Sequence, residues 1–205
     1  MLTKLKERVQ LLLVAEARFA HRVGLSPNLL SLIGLSAALV SAYLYWSSQF
    51  QIVLLLFAAL FLLVSGFFDA LDGVIAILHG RVTTFGGFLD SMLDRYADAL
   101  VLIGIILGGF AEISWGFFAL IGSLLVSYSR ARAEAAGIEM ETIGLAERAE
   151  RILILTVAGL LTLIWSYALW WSIVLLAVLT NLTVLQRAIY FRKALEKKET
   201  ATPII

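Results

Sequence analysis

The 205-residue chain contains no cysteine, so neither a disulfide framework nor thiolate chemistry is available to it. Charge is scarce as well. Asp, Glu, Lys and Arg together make up 15% of the residues, against 61% hydrophobic residues and a mean hydropathy of +0.94. A soluble domain of this size cannot hide that much apolar surface, whereas lipid accepts it. A convincing secretory leader is also missing. The apolar run LLLVA at 11–15 is too short and is soon followed by Glu16, Arg18 and Arg22.

What is present is a series of six apolar segments, at about 29–47, 51–78, 85–110, 115–136, 148–165 and 169–187. Each reaches or approaches the roughly 20 residues a helix needs to cross the hydrocarbon core. The expected fold is therefore an all-α integral membrane protein with six transmembrane helices. The bases divide sharply between its two sides. Lys4, Lys6, Arg8, Arg18 and Arg22 precede the first span, Arg81 lies between spans 2 and 3, and Arg130, Arg132, Arg148 and Arg151 flank the 4–5 connection. Arg187, Arg192, Lys193, Lys197 and Lys198 follow the last span. The opposite connections, SSQ at 47–49, AEIS at 111–114 and WSYALW at 165–170, contain neither Lys nor Arg. By the positive-inside rule both termini and the 79–84 connection are cytoplasmic. The localisation expected is a multi-pass cell-membrane protein, with the lipid bilayer as a partner and no nucleic acid.

Leu2, Leu5, Val9, Leu12 and Leu13 recur at helical spacing with basic residues among them. That pattern predicts an N-terminal amphipathic interfacial helix over residues 1–23. The main domain is then 24–190, followed by a basic cytoplasmic tail at 191–205. Trp46, Trp115, Trp165, Trp170 and Trp171 fall at the outer ends of spans, as an interfacial belt would place them. Gly104 and Gly108 form a GxxxG in span 3 that lets another helix approach closely.

The chemistry lies in FFDALDGVIAILHGRVTTFGGFLDSMLD, residues 67–94. Asp69 and Asp72 are spaced i,i+3, and Asp90 and Asp94 i,i+4, so each pair shares a helix face. Counting about 20 residues inward from the outer ends of spans 2 and 3 reaches Ala70 and Ser91. The acids therefore sit at the cytoplasmic rim rather than at the bilayer centre. The short connection predicts antiparallel neighbours, across which four carboxylates converge. Such a cluster repels itself in a poorly hydrated site, and cation binding is the usual remedy. Oxygen-only ligation without His or Cys suits Mg²⁺ or Mn²⁺. Gly73, Gly86 and Gly87, with Ala76 a turn beyond Asp72, leave room beside the acids for a bulky ligand.

These residues resemble the signature of the CDP-alcohol phosphotransferases, D-x₂-D-G-x₂-A-R-x₈-G-x₃-D-x₃-D. Asp69, Asp72, Gly73, Ala76, Gly86, Asp90 and Asp94 match it in order and spacing, while the signature arginine is Ile77 here. FGGFLDSMLDRYADA at 85–99, SYSRARAE at 127–134 and GLAERAERILIL at 144–155 look more narrowly like the archaetidylinositol phosphate synthase subgroup, which is similar to bacterial phosphatidylinositol phosphate synthases. GLSPNLLSLIG at 24–34 looks like the family's entry to the first helix, with Pro27 at a natural helix start and Asn28 either facing the cleft or capping.

The resemblance implies attack by an alcohol hydroxyl on the lipid-side phosphorus of a CDP-lipid, CDP-archaeol in the subgroup, with release of CMP. It implies two divalent ions, Mg²⁺ or Mn²⁺, held by Asp69, Asp72, Asp90 and Asp94, with Asp94 as general base. CDP would lie against Asp69, Gly73, Ala76, Arg81 and Gly86. His79 or Arg81 would replace the missing arginine; an impaired enzyme is the other reading of Ile77. A homodimer is implied too, for which Gly104 and Gly108 are the only hint in the chain itself.

The acceptor is read from charge. Arg130, Arg132, Arg148 and Arg151 come to the same rim as the aspartates, and guanidinium groups bind phosphate in a forked geometry. A phosphorylated polyol such as inositol phosphate fits, with glycerol phosphate or a CDP-diacylglycerol donor as close alternatives. Asp98 continues the row of Asp90 and Asp94 and either contacts the acceptor or pairs with Arg95 or another base. A divalent-cation transporter is the alternative from another class. It would need acidic groups near mid-membrane, and only Glu112 continues outward from the rim.

Overall fold

The computed structural model describes residues 14–22, 24–80, 82–140 and 143–201; the side chains at 19, 21 and 198–201 fall outside that description. Among these residues the chain is all-helical, with no strand. Seven helices follow one another: α1 Val14–Arg22, α2 Pro27–Ser47, α3 Leu54–Leu78, α4 Thr84–Leu107, α5 Ile113–Ala135, α6 Arg148–Leu161 and α7 Ala168–Ala201. The amphipathic pattern read on Leu2 to Leu13, and Arg81, lie outside the described residues.

The helix starts have local causes. Ser26 is extended (φ −87°, ψ 153°) and its hydroxyl accepts from Leu29 N at 3.3 Å, with Pro27 at the first helical position. Thr83 does the same for α4, accepting from Gly86 N at 2.9 Å. Capping at α2 thus falls to Ser26, which leaves Asn28 facing elsewhere.

α2 is the element on which the site is assembled. It packs against both α3 and α4, while α3 and α4 make little direct contact with each other. The expected neighbours thus approach each other at their aspartates rather than packing along their length. A short connection fixes only where two helix ends meet, and the small face of α2 draws both helices onto itself. Gly104 lies against the Ala42 backbone and Gly108 against the Tyr45 carbonyl, so the GxxxG of α4 serves packing within the chain. On the other side of α2, a Cβ at Gly34 would already touch Ser65 O at 3.4 Å and Phe68 Cβ at 3.5 Å.

The main core gathers Ala38, Tyr45, Leu55, Val101, Ile105, Leu155, Leu169, Ile173 and Leu176 from α2, α3, α4, α6 and α7. Tyr45, fully buried, donates to Leu155 O at 3.3 Å. α5 packs on α7, where Asn181 Nδ2 donates to Phe118 O at 3.1 Å. α1 lies on α3 through Ala17 and Ala20, against Leu71, Val74 and Ile75. Large apolar side chains such as Tyr43, Phe57, Phe117, Phe118, Leu153 and Leu182 face outward.

Among the described residues, three stretches are long and apolar enough to cross a membrane, namely α2, α3 and Ala168–Lys197 of α7. The other long helices differ for visible reasons. α4 carries Asp90, Asp94, Arg95 and Asp98, and α5 carries Arg130, Arg132 and Glu134. α6 has 14 residues and ends at Leu161, short of the segment read to 165. α7 runs on without a break past residue 190, so the basic stretch through Ala201 forms its last turns rather than a separate tail.

Candidate metal and phosphate site

The last third of α3 and the first half of α4 lean toward each other over α2. Asp69, Asp90 and Asp94 each bring a carboxylate oxygen within 4.8 Å of the others. Asp72 lies beside this triad but faces α2. It is 5% exposed, and its Oδ2 accepts from Ser31 Oγ at 2.5 Å. Of the four aspartates singled out by spacing, the fold therefore gathers three and anchors the fourth.

The triad fits a hard divalent ion. All its donors are carboxylate oxygens, and Asp90 Oδ1 is buried with no hydrogen-bond partner among the described residues. A buried, unpartnered anionic oxygen is costly unless a cation or donor reaches it.

Positive charge comes from α6. Arg148, its first residue, is ion-paired through Nη1 with Asp69 Oδ1 and lies 2.7 Å from Asp94 Oδ1. Its Nε is 3.3 Å from Asp98 Oδ1. Arg151 is buried; its Nη2 donates to Asp98 Oδ2 at 2.5 Å and its Nη1 to Ala146 O at 3.1 Å. Arg95 is more distant, with Nη1 3.8 Å from Asp94 Oδ2 and its stronger contact, 2.6 Å, to Ser91 O.

The loop ahead of α6 sets where Arg148 stands, and α7 holds that loop. Arg187, 3% exposed, donates from Nη1 to Val126 O at 2.5 Å and from Nε to Ile143 O at 2.7 Å. Thr183 Oγ1 accepts from Leu145 N at 3.1 Å. Charge distribution along the chain marks Arg187 only as a base flanking the last span. The signal legible in the chain is the helical spacing of Thr180, Thr183 and Arg187 within an apolar run, and the fold buries all three. Ser31 was missed as well, because one serine in an apolar helix carries no sign of its partner.

Two recesses meet at these groups. One is lined by Ser31, Gly34, Ser65, Asp69, Asp90, Asp94, Ala97 and Arg148. The other is narrow and runs inward from Asp98, Arg148 and Arg151 to Ala38, Leu62, Val101 and Leu176.

The remaining predicted residues are placed as follows. A Cβ at Gly73 or Gly87 would meet no atom within 4 Å, so the space beside the acids is open there. At Gly86 a Cβ would fall 2.8 Å from Thr83 Oγ1 and 3.2 Å from Asn28 Oδ1, which brings Asn28 to the start of α4. Ala76 is half-buried, Ile77 is 69% exposed, and His79 closes α3. Arg130 pairs through Nε with Glu134 Oε1 at 2.7 Å. Arg132 is exposed in the last turn of α5. The fold thus brings Arg148 and Arg151 to the aspartates, while Arg130 and Arg132 line neither recess.

A family model described as CDP-alcohol phosphatidyltransferase matches residues 25–184. The archaetidylinositol phosphate synthase of Pyrococcus horikoshii is 41% identical over 196 residues, covering 96% of this chain and 99% of that protein. The crystal structure of Mycobacterium tuberculosis phosphatidylinositol phosphate synthase with CDP-DAG bound superposes with a TM-score of 0.75 at 29% identity, covering 87% of this chain and 92% of that one. The same enzyme in complex with manganese and citrate gives a TM-score of 0.75 at 29% identity, over 87% and 88% of the two chains.

Proposed function

Since the chain belongs to the CDP-alcohol phosphatidyltransferase family, and is thereby a membrane transferase of phospholipid biosynthesis, we propose that it transfers the lipid phosphoryl group of a CDP-lipid to inositol phosphate with release of CMP. CDP-archaeol is the proposed donor, from the likeness to the archaetidylinositol phosphate synthase. The observation that carries the reading is the meeting of three carboxylates from α3 and α4 with two guanidinium groups from the start of α6.

Asp69, Asp90 and Asp94 are the ligands of Mg²⁺ or Mn²⁺, and Asp72 completes the set from the position where Ser31 holds it. Two divalent ions, when bound, neutralise a diphosphate and the charge that develops on departing CMP. Asp94 takes the proton of the acceptor hydroxyl, a role that requires hydrogen-bond reach to that hydroxyl. The open face at Gly73, with Ala76, Gly86 and Arg81, receives the CDP moiety. Arg148 and Arg151 hold the acceptor phosphate, with Arg130 and Arg132 at its approach.

Six crossings, with the site and both termini cytoplasmic, complete the reading, with residues 1–23 on the membrane surface and 24–190 as the catalytic domain. Its support is the six helices α2–α7, three of them long and apolar enough to cross a membrane, and the side on which the bases fall. Homodimer assembly rests on the family resemblance alone, because Gly104 and Gly108 are engaged inside the chain.

CMP release by purified protein in vesicles, with Mg²⁺, CDP-archaeol and inositol phosphate, tests the function. Release that needs both substrates and is lost in Asp94→Asn supports it and shows that Ile77 is compatible with turnover. Release with glycerol phosphate alone, or only with a CDP-diacylglycerol donor, moves the substrate and keeps the chemistry. Folded protein that releases no CMP with any pairing overturns the reading.

A further inference from the structure

The cation that lies within the acidic cluster belongs to the protein itself. Arg148 Nη1 touches Asp69 and Asp94, two of the three carboxylates whose oxygens converge. At its other edge, Nε is 3.3 Å from Asp98 Oδ1. Asp98 is one turn beyond Asp94 on the same face of α4 and is not part of the converging set. Its second oxygen is fixed by Arg151 Nη2 at 2.5 Å, and Arg151 is itself tied to the loop at Ala146 O. A guanidinium and a divalent ion cannot share the same oxygens, because like charges a few ångströms apart in a poorly hydrated site repel strongly.

We infer that Arg148 is a built-in counter-ion that competes with the divalent cation for Asp69 and Asp94, and that Asp98 is the positioning residue that retains the guanidinium once it is displaced. The inference rests on the reading of Asp69, Asp90 and Asp94 as metal ligands. Arg148 need not travel far. A swing of its terminal group toward Asp98, which shortens the present 3.3 Å Nε contact, takes Nη1 off the two shared carboxylates and turns it toward the adjoining recess. There a phosphate-bearing acceptor would meet a guanidinium with free donors.

The energetics give opposite signs for two substitutions. The apparent affinity for the ion is its intrinsic affinity multiplied by the fraction of molecules in which the carboxylates are free. Removing the guanidinium sets that fraction to one. Removing the charge of Asp98 takes away the alternative partner and lowers it.

The test is Mn²⁺ binding to the full-length, detergent-solubilised protein, read from the free-ion electron paramagnetic resonance signal. Arg148→Gln tightens binding by at least about tenfold, the lower end of the coupling between close charge pairs. Asp98→Asn weakens it, and Asp98→Asn in the Arg148→Gln background binds as Arg148→Gln alone, since Asp98 acts through the guanidinium. A purely structural Asp98 would weaken binding in both backgrounds, which overturns its assigned role. If Arg148→Gln does not fold, Arg148→Lys shifts affinity in the same direction by less, and the sign of Asp98→Asn still decides. Arg148→Gln that binds Mn²⁺ as wild type does, or more weakly, while Asp90→Asn abolishes binding, overturns the competition and leaves the metal site standing. Mn²⁺ binding indifferent to Asp90→Asn overturns both.

Discussion

Ser31 donates its hydroxyl hydrogen to Asp72 Oδ2 at 2.5 Å, joining α2 to α3 across 41 residues of sequence. The same hydroxyl oxygen lies 3.2 Å from Pro27 O, and the shorter, charged acceptor takes the hydrogen. Ser31→Ala leaves a buried carboxylate without that donor. Thermal unfolding in detergent is expected to show a loss of about 1.5–3 kcal/mol, the worth of a hydrogen bond to a charged group. CMP release falls with it, and Ser31→Thr restores both in part.

Chelation is expected to abolish CMP release, with Mg²⁺ or Mn²⁺ restoring it. Either ion also raises the unfolding temperature, because it binds the folded chain alone. At a hundredfold excess over Kd the stabilisation is about 2.7 kcal/mol. Asp90→Asn removes that stabilisation while leaving the ion-free protein folded. Calorimetry with and without the ion reads both effects.

Two glycines of similar sequence prominence should respond in opposite ways. Gly104→Val drives a side chain into the Ala42 backbone, which cannot move aside as a flexible side chain would, so the yield of folded protein collapses. Gly73→Ala places a methyl where no atom lies within 4 Å. Its unfolding temperature stays near wild type, and on the proposed reading the KM for the CDP-lipid rises. Size-exclusion profiles separate the first from the second, and steady-state kinetics measures the second.

Arg187→Met strips two carbonyls, Val126 O and Ile143 O, of a guanidinium that reaches both. Stability falls by at least about 1.5 kcal/mol, the lower value for one charge-assisted bond. The loop ahead of α6 becomes more susceptible to proteolysis. Arg187→Lys rescues little, because an ammonium group lacks the fork that spans two acceptors.

The all-helical architecture was legible because long apolar runs and the one-sided distribution of Lys and Arg are written along the chain. The helices form where those runs lie, with bounds shifted by a few residues. Asp69, Asp90 and Asp94 were legible because helix periodicity alone puts each pair on one face. Asp72 shares that periodicity, yet its orientation depends on Ser31, a residue with nothing in its local sequence to mark it. Likewise, the apposition of α3 and α4 could not be read from the turn between them, because the face both helices seek belongs to α2. The tasks of the arginines were hidden for the same reason. Charge placed Arg148 and Arg187 on one side, but only the fold distinguishes a guanidinium inside the acidic cluster from one that ties down a loop.

The division between α3 and α4 bears on how a greasy substrate would reach the acids. Both helices rest on α2 rather than on each other, and near the aspartates they carry Phe67, Ile77, Leu78, Phe85, Phe88 and Met92 exposed. On the proposed reading, a donor whose tails are dissolved in the leaflet could slide its headgroup sideways into this wedge. Its chains would then never have to be lifted into water, a step that costs about 0.8 kcal/mol for every methylene exposed. Turnover would then depend weakly on tail length, because the tails would lie in the same surroundings before, during and after the transfer.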